Sequence, residues 1–439
     1  MKMARLTILA GAAALTIAQG VSGRLLAAEQ TAPAKKQVTF SKDVAPILQK
    51  SCQNCHRPDS MAPMPFLTYE QTRPWVSSIK NKVSRREMPP WYIDRSVGVH
   101  GFKNDPSLSD EDIDTIVTWA NNGAPRGDAK DMPPAKVFEN DDEWKIGKPD
   151  MIITSPAHKV LAAGPDWWGD YDVPTGLTED RYIKAIQTRA GNRKIVHHAI
   201  TNVVDGPDAS PDSSEYLSEY AVGKPGDVYP EGTGKLLKAG SYIRFNFHYH
   251  PVGEEATDRT QLGIVLYPKG YVPKRVLNVK GLGRVGGTAE GEIDVLDIPG
   301  GQVVRHDGYT RLTKPAVITA FQPHMHLLGK RQCLELIYPN GNTEMVTCAN
   351  WDFNWHIVYL YNDDVAPIVP AGTMLHVISY HDNTTANRGA HDPKNWAGSG
   401  HRTIDEMAFA HISWYDLTEE DYLKAVAART PRTSNTQQQ

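Results

Sequence analysis

The 439-residue chain has no excess of either charge and few long apolar runs. Its 47 lysines and arginines nearly balance 51 aspartates and glutamates, and the net charge is −4. A chain without a basic excess or a block of like charges lacks the electrostatic footprint of a nucleic-acid or anionic-membrane binder. No run beyond the N-terminus reaches the ~18 apolar residues that a spanning helix needs. A Gly-x-Ser-x-Gly motif, typical of one class of hydrolase, is also missing.

The N-terminus has the layout of a secretory signal peptide. Lys2 and Arg5 precede the apolar stretch LTILAGAAALTIA, and small residues follow at Ala27 and Ala28. We predict a signal peptide over 1–28, with an uncleaved N-terminal anchor as the alternative. The mature protein is then expected in the periplasm or secreted, with no membrane span.

Cysteine is scarce, and its four copies form two pairs. Cys333 and Cys348 flank a hairpin pattern with Pro-Asn-Gly at its middle. Counting outward from Asn340 and Gly341 places the two cysteines opposite each other. We predict a cross-strand disulfide, which an oxidising compartment preserves; two buried free thiols are the alternative.

The other pair lies in SCQNCHRP. Cys52, Cys55 and His56 fit the C-x-x-C-H signature of covalent haem c attachment, in which the histidine ligates iron. Met88, in REMPPW, is the preferred second axial ligand. The competing methionines are Met61 and Met64. A redox dithiol or half a zinc site is the alternative to haem.

A helix is predicted in SLSDEDIDTIVTWANNGAP, with Ser109 as cap, an acidic first turn and a glycine stop. Its apolar face consists of Ile113, Ile116, Val117 and Ala120. The region 36–128 resembles a small class I cytochrome c, in which a terminal helix packs near the haem. Residues 129–148, rich in Pro, Gly, Ala and charge, are predicted to be a linker.

Beyond residue 148 the chain consists of short β-rich runs separated by Gly, Pro and Asn turns. This pattern favours β-sandwiches or jelly rolls, and no fixed-period repeat indicates a propeller. The predicted fold is therefore multidomain: a small all-α cytochrome c domain followed by two all-β jelly-roll domains, at 149–300 and 301–425. The polar tail at 426–439 is predicted to be disordered.

Histidines cluster within these predicted strands. His197 and His198 are adjacent in IVHHAI, although neighbouring side chains of a strand point to opposite faces. FNFHYH places His248 and His250 on one face of a strand. FQPHMHLL does the same for His324 and His326, and such a pair is a natural metal chelate.

The segment 150–420 resembles the copper type II, ascorbate-dependent monooxygenases, represented by the peptidylglycine hydroxylating and dopamine β-monooxygenases. The resemblance implies two jelly-roll domains that each hold one copper. It implies that the first copper has the ligands His197, His198 and His248, with the adjacent pair at a twist or bulge of the strand. It implies that the second copper has the ligands His324, His326 and Met407.

The resemblance implies that dioxygen binds at the second copper, where a substrate C–H bond is hydroxylated, and that the first copper supplies an electron. A thioether such as Met407 favours Cu(I). His250 is a possible alternative or supporting ligand. The histidines interpreted as ordinary polar residues are His356, His376, His381, His391, His401 and His411.

Two departures from the family bear on the substrate. Peptide-amidating members have a basic residue just before the His-x-His pair, where this chain has Gln322. They have a tyrosine shortly after the methionine, where this chain has His411. Both changes argue against a peptide with C-terminal glycine, and the substrate class stays a small-molecule or peptide-like organic compound.

The expected function is an exported copper monooxygenase with two copper ions and one covalent haem c. The haem would take electrons from a periplasmic donor and pass them to the copper at His197, His198 and His248. One alternative is a non-catalytic haem and copper protein for electron transfer or copper handling. Another is a zinc hydrolase or binding module, which Met407 argues against because zinc sites prefer nitrogen, oxygen and thiolate ligands.

Overall fold

The structure is a computed structural model, and it describes residues 37–58, 60, 62–103, 105–138, 143–207, 209–210, 214–221, 224, 226–285, 295–400 and 402–429. The signal peptide predicted at 1–28 lies outside these residues, as do Met61 and the part of the predicted tail from 430 onward. No helix within the described ranges is long and apolar enough to cross a membrane.

Most of the regular structure is β-strand, and the prediction of a mostly β chain is confirmed. The α-helices are α1 (Ala45–Ser51), α2 (Tyr69–Thr72), α3 (Val76–Ser84), α4 (Asp110–Asn121) and α5 (Glu419–Ala428). Shorter helical turns lie at Phe40–Val44, Arg73–Trp75 and Ala129–Asp131. The strands up to residue 282 are β1 (Met151–Thr154), β2 (His158–Val160), β3 (Trp167–Pro174), β4 (Arg181–Arg189), β5 (Val196–Val204), β6 (Glu215–Ala221), β7 (Asp227–Val228), β8 (Thr233–Leu237), β9 (Tyr242–Tyr249), β10 (Ala256–Asp258), β11 (Gln261–Leu266) and β12 (Arg275–Leu282). The later strands are β13 (Asp297–Ile298), β14 (Val303–Arg311), β15 (Ala316–Met325), β16 (Gly329–Ile337), β17 (Thr343–Asn350), β18 (Tyr359–Leu360), β19 (Ile368–Val369), β20 (Met374–Asp382), β21 (Ala397–Gly398) and β22 (Ala408–Asp416).

The strands from β1 to β11 build two main layers around one apolar core. One layer has the order β1-β11-β4-β8, and the other has the order β3-β9-β5-β6. Side chains from both layers fill the space between them, including Ile186, Ile264, Phe245 and Phe247. The strands β5 and β9, which carry His197, His198 and His248, are therefore the central strands of a layer that is fixed by its own core.

The later strands build a second pair of layers, and β12 joins it to the first pair. Their orders are β14-β20-β16-β17 and β12-β22-β15-β18. Although β12 falls within the predicted domain 149–300, it pairs with β22 over residues 277–282 and with β8 only at Arg275 and Val276. An alternating strand pattern does not specify a partner strand, so the sequence could not show this continuous sheet.

Helix α4 forms where its sequence predicts it. The Ser109 side chain accepts a hydrogen bond from the first turn in a capping box, and Ile113 and Ile116 are buried. Trp119 is also fully buried, and its indole donates to the Pro125 carbonyl at 3.0 Å. The indole places a large apolar ring in the core and keeps its polar nitrogen bonded.

The segment after Met88 packs on the second pair of β layers. Trp91 and Phe102 belong to the core of these layers. The Asp94 amide donates to the Cys348 carbonyl at 2.9 Å, beside the end of β17. Part of the region predicted as 36–128 is thus anchored to the β structure by backbone bonds as well as by apolar contacts.

The boundaries predicted near the C-terminus also differ from the structure. Helix α5 continues through Ala428, past the predicted start of the tail at 426. The guanidinium of Arg429 then donates to the Asp363 carbonyl at 2.8 Å, so the helix end is tied to the body of the chain. The sequence does not predict this anchor, because it depends on the side chain of a single residue in a polar stretch.

A disulfide joins Cys333 on β16 to Cys348 on β17. The register pairs these two residues directly, as the hairpin pattern predicts, and both are 3% exposed. The bond closes a loop with a sequence separation of 15 residues. Restricting that loop in the unfolded chain is worth about 3 kcal/mol.

We expect the double variant Cys333→Ala, Cys348→Ala to lose about 3 kcal/mol of unfolding free energy, measured by urea denaturation. The control is the unaltered chain under a strong thiol reductant, which should fall to about the stability of the double variant. Reductant should leave the variant itself unchanged. An unaltered chain that is equally stable with and without reductant would contradict a stabilising disulfide.

Candidate metal centres

A β-bulge brings the adjacent histidines His197 and His198 to one place. Along β5 and β9 the register pairs Val196 with Tyr249 and then His198 with His248, so His197 is an extra residue without an opposite partner. Such a bulge turns a side chain out of strict alternation. Both adjacent imidazoles can therefore face His248, which ordinary strand geometry forbids.

The three imidazoles converge tightly enough for one metal ion. One nitrogen from each of His197, His198 and His248 lies within 4.8 Å of the other two. The Nδ1 atoms of His197 and His198 are 3.3 Å apart. Two nitrogens bound at about 2.0 Å to a tetrahedral ion are separated by about 3.3 Å. The donor set thus fits a metal with imidazole ligands, a class that includes copper and zinc.

His248 has the hydrogen bonding of a metal ligand. Its Nε2 donates to the Asp166 carboxylate at 2.6 Å, while its buried Nδ1 has no hydrogen-bond partner in the described structure. A carboxylate on one nitrogen fixes the ring and directs the other nitrogen to a metal. The indole of Trp168 stacks on the ring at 3.7 Å. Asp166 also accepts from His250 at 2.7 Å, so His250 lies beside the site and shares its orienting carboxylate.

Burial keeps the triad neutral. Desolvation, followed by the neighbouring imidazoles of His248 and His356, lowers the pKa of His197 to about 4. The pKa of His198 lies well below its usual value for the same leading reason. Neutral imidazole is the form that binds metal, so near neutral pH protons compete weakly for these nitrogens.

The second predicted group lies at the end of β15. The rings of His324 and His326 are 5.6 Å apart between centroids. The Nδ1 atom of His326 donates to the Asp405 carbonyl at 2.9 Å, which leaves Nε2 for a ligand. The register pairs His324 with Phe409 and Met325 with Ala408. The pairing ends there, so His326 and Met407 each lie one residue beyond the paired part of their strands. Coordination of one metal by His324, His326 and Met407 stays a prediction.

A loop at 351–358 lies between the two histidine groups. Its His356 ring is 5.6 Å from the ring of His324 and 6.2 Å from that of His197. Its Phe353 ring stacks on His197 at 5.8 Å. His356 is thus held between the two groups of histidines, and its interpretation as an ordinary polar residue rather than a ligand stays a prediction. Nothing local in the sequence around it signals this position.

The other histidines that were interpreted as ordinary have varied surroundings. His411 lies 5.9 Å from His324 between ring centroids, and its buried Nδ1 has no partner in the described structure. His376 is bracketed by the carboxylates of Glu335 and Asp307 at 2.8 and 2.7 Å. His381 bonds to the Met407 carbonyl through Nε2, at 3.2 Å.

The C-x-x-C-H segment follows α1 directly. The Nδ1 atom of His56 donates to the Met64 carbonyl at 3.0 Å, and its ring stacks on Phe66 at 4.3 Å. This fixed ring leaves Nε2 as an axial ligand, which fits haem attachment. Burial, reinforced by Cys55, raises the pKa of the Cys52 thiol to about 12.

Met88 lines a cavity of about 370 Å³, and the described residues that line it do not include Cys52, Cys55 or His56. The Met64 carbonyl is bonded to the His56 ring, so this competitor lies on the side of the histidine itself. The Cys52, Cys55 and His56 set fits the haem, and the second axial ligand stays a prediction.

Comparison with known proteins identifies no family for this chain. No family model matches it, and no curated protein matches it. Among the solved structures that match this chain is the PBSX exported protein XepA, which has 8% identity and a TM-score of 0.17. The match covers 56% of this chain and 99% of that chain. Another is the CBM22 tandem domain of Paenibacillus barcinonensis Xyn10C, which has 7% identity and a TM-score of 0.16. The match covers 62% of this chain and 98% of that chain. A variant oxalate decarboxylase of Bacillus subtilis has 9% identity and a TM-score of 0.13. The match covers 67% of this chain and 92% of that chain. Similarities this low carry no argument about fold or function.

We expect Asp166→Ala to weaken metal binding at the triad about 10- to 100-fold, because His248 loses the carboxylate that orients it. Chelator competition for one equivalent of Cu(I) measures the change. The matched control is Asp170→Ala on β3, which begins directly after Asp166; its carboxylate accepts a hydrogen bond from Asn246 at 2.6 Å rather than from a histidine of the triad. Equal affinity in the two variants would contradict the orienting role.

Proposed function

We propose that the protein is an exported copper-dependent monooxygenase that hydroxylates a C–H bond of an organic substrate with dioxygen, using electrons supplied through a haem c. The observation that carries this proposal is the convergence of three imidazoles, partly or fully buried and with lowered pKa values, at a β-bulge near the second histidine pair, His324 and His326. The proposed architecture is a class I-like cytochrome c domain followed by two jelly-roll copper domains. The mostly β structure and its two pairs of layers support the latter part.

The side chains of the two groups have separate tasks in this proposal. His197, His198 and His248 hold one copper, and Asp166 keeps the His248 ring in place. The second copper is held by His324, His326 and Met407. Copper bound at these sites would supply the one-electron chemistry that activates dioxygen. The thioether of Met407 stabilises Cu(I), which is the oxidation state of copper that reacts with dioxygen.

The reaction balances with an external donor. One oxygen atom of dioxygen enters the C–H bond as a hydroxyl group, and the other leaves as water. Two electrons and two protons are consumed, and the electrons come from a periplasmic donor protein or small reductant. A haem attached at Cys52 and Cys55 and ligated by His56 would supply single-electron transfer.

The packing of the segment that follows Met88 against the β layers supports a role in electron transfer to the two histidine groups. Asn350 lines the cavity that also contains Met88. The ring of the next residue, Trp351, lies 5.3 Å from His356. His356 in turn contacts the rings of both His324 and His197. The rings of Trp351, His356, His324 and His197 thus form a series of contacts between the two proposed copper sites, and Asn350 next to Trp351 lines the cavity of Met88.

The surroundings of His324 bear on the substrate. Gln322, where peptide-amidating enzymes have a basic residue, donates its amide to the buried carboxylate of Glu219. The Lys224 ammonium lies 3.8 Å from Glu219 and 3.6 Å from Asp227, so two acids balance its charge. The Arg284 guanidinium lies 4.0 Å from the Phe409 ring, which stacks on His324. Because Gln322 is neutral, a peptide with a free C-terminus has no cation at the position that amidating enzymes use.

A second candidate function is a haem and copper protein that transfers electrons or handles copper without a substrate. The observation that favours it is the loop 351–358, whose Phe353 and His356 rings fill the space between the histidine groups. A substrate-hydroxylating site needs room for the substrate, whereas electron transfer benefits from packed rings. Dioxygen uptake distinguishes the two functions.

We expect the exported, purified chain to contain two coppers per haem, with little zinc, by elemental analysis and haem absorbance. His248→Ala should remove about one copper and His326→Ala the other, because each deletes a ligand of a different site. His391→Ala, at an exposed position, is the control and should keep both. One copper in the unaltered chain, or zinc in its place, would contradict the six-ligand assignment.

The activity itself is tested by mixing reduced, copper-loaded protein with ¹⁸O₂ and a panel of neutral and cationic organic compounds. We expect one ¹⁸O atom in the product, dioxygen uptake that depends on the compound, and oxidation of the haem. His326→Ala should abolish product while the haem stays attached. Dioxygen uptake that no compound alters would favour the second candidate function, and haem that stays reduced during hydroxylation would exclude its role as electron source.

A further inference from the structure

We propose that Trp168 selects the oxidation state of the metal at the first site, because its indole face favours Cu(I) over Cu(II) at the triad of His197, His198 and His248. The inference rests on the proposed function in one respect, since it requires copper at that triad. It gives Trp168 a role that neither the sequence pattern nor the family resemblance assigns.

Trp168 lies directly opposite His248 in the pairing of β3 with β9. Side chains of such a cross-strand pair project from the same face of a sheet, so the two rings can meet. The indole is nearly parallel to the imidazole, at 3.7 Å between ring centroids and an angle of 17°. It also lies 5.5 Å from the ring of His198, at an angle of 62°. Trp168 therefore spans two of the three predicted ligands.

The indole of Trp168 does not serve the apolar core. Its neighbour Trp167 packs against the core of the first pair of layers, whereas Trp168 is absent from the described members of that core and is 43% exposed. Adjacent side chains of a strand point to opposite faces, which separates the two indoles. Among the described residues, the ring contacts of Trp168 are with His198 and His248. Its surroundings thus point to a task at the triad.

The face of an indole attracts a cation within about 6 Å of the ring centroid, and tryptophan is the strongest aromatic residue in this respect. An ion held by His198 and His248 lies beside the indole, because both of these ligands contact that ring. The contact partly desolvates the ion, which costs less for a monovalent ion than for a divalent one. Cu(I) also prefers soft, polarizable partners. The indole face therefore stabilises Cu(I) more than Cu(II).

The number of donors favours the same oxidation state. In the part of the chain that the structure describes, the group of candidate ligands at this place has three members. Cu(II) prefers a tetragonal set of donors, so it would need water in addition to the three imidazoles. Trp168 covers the ring of His248, and Phe353 stacks on that of His197 at 5.8 Å. This apolar cover restricts the access of water and so disfavours Cu(II).

The charges around the triad also suit a monovalent ion. Imidazoles bind a metal in their neutral form, so the donors themselves carry no charge. The carboxylate of Asp166 accepts a hydrogen bond from His248 at 2.6 Å. One carboxylate balances the charge of Cu(I), whereas Cu(II) would leave one positive charge in excess at a partly buried site.

The test uses the full chain in a His326→Ala background, which restricts copper to the triad. Chelator competition measures the affinities for Cu(I), Cu(II) and Zn(II) separately. We expect Trp168→Leu to weaken Cu(I) binding about 2- to 5-fold, as the loss of a partly exposed cation–π contact implies. The affinity for Cu(II) should stay equal or rise, because water gains access. Trp168→Phe, which keeps an aromatic face, should lie between the two.

The matched control is Trp396→Leu, which removes another exposed indole, one that is bonded to Asp297 and has no ring contact with the triad in the described structure. It should leave the three affinities unchanged. A purely structural role of Trp168 would weaken Cu(I), Cu(II) and Zn(II) alike. That result, or no change in any affinity, would overturn the inference and leave the proposed function standing.

Two further outcomes separate the inference from the proposed function. A triad that binds no copper in the background chain would overturn both. A Cu(I) affinity that falls relative to that for Cu(II), in a chain that hydroxylates no compound, would support the inference and contradict the proposed function. Because Trp168 lies outside the core, both of its variants are expected to fold, and Trp168→Phe gives an independent reading if Trp168→Leu does not.

Discussion

One irregularity in backbone pairing makes the first metal site possible. In a regular strand, His197 and His198 would point to opposite faces, and one of them would be buried alone among apolar side chains. The extra residue in β5 opposite β9 removes that conflict and aims both rings at His248. The bulge is stable because β5 and β9 are central strands, and Phe245, Phe247 and their neighbours fix these strands to the apolar core.

The second histidine group, His324 and His326, depends on a different constraint, which is the continuous sheet that joins the two pairs of layers. Since β12 pairs with both β8 and β22, the strand ends that carry His324 and His326 are fixed relative to the first pair of layers. The loop 351–358 can then contact both groups, through Phe353 on one side and His356 on the other. Neither contact follows from the local sequence, because each depends on how two separate halves of the chain are joined.

Features encoded over a few residues could be predicted from the sequence. The spacing around Cys333 and Cys348 defined their pairing, and the capped helix at Ser109 formed where its pattern placed it. Long-range features could not be predicted. Asp166 lies 82 positions from the histidine that it orients, and His356 has no periodicity or motif around it. Within α4, Trp119 follows Ile113 and Ile116 at intervals of three residues, so it extends the buried face, and its indole donates to the Pro125 carbonyl.

The local structure around the histidines bears on the choice between catalysis and electron transfer. Imidazoles with lowered pKa values suit either function, and so do the orienting hydrogen bonds of His248 and His326, because both functions need neutral, fixed ligands. What separates the functions is whether a substrate has room to reach a metal. Phe353 and His356 of the loop 351–358 pack between the two histidine groups, so a substrate would have to share that space. The Tyr92 hydroxyl donates to Asp352 of the same loop at 3.2 Å, which ties the loop to the segment that follows Met88.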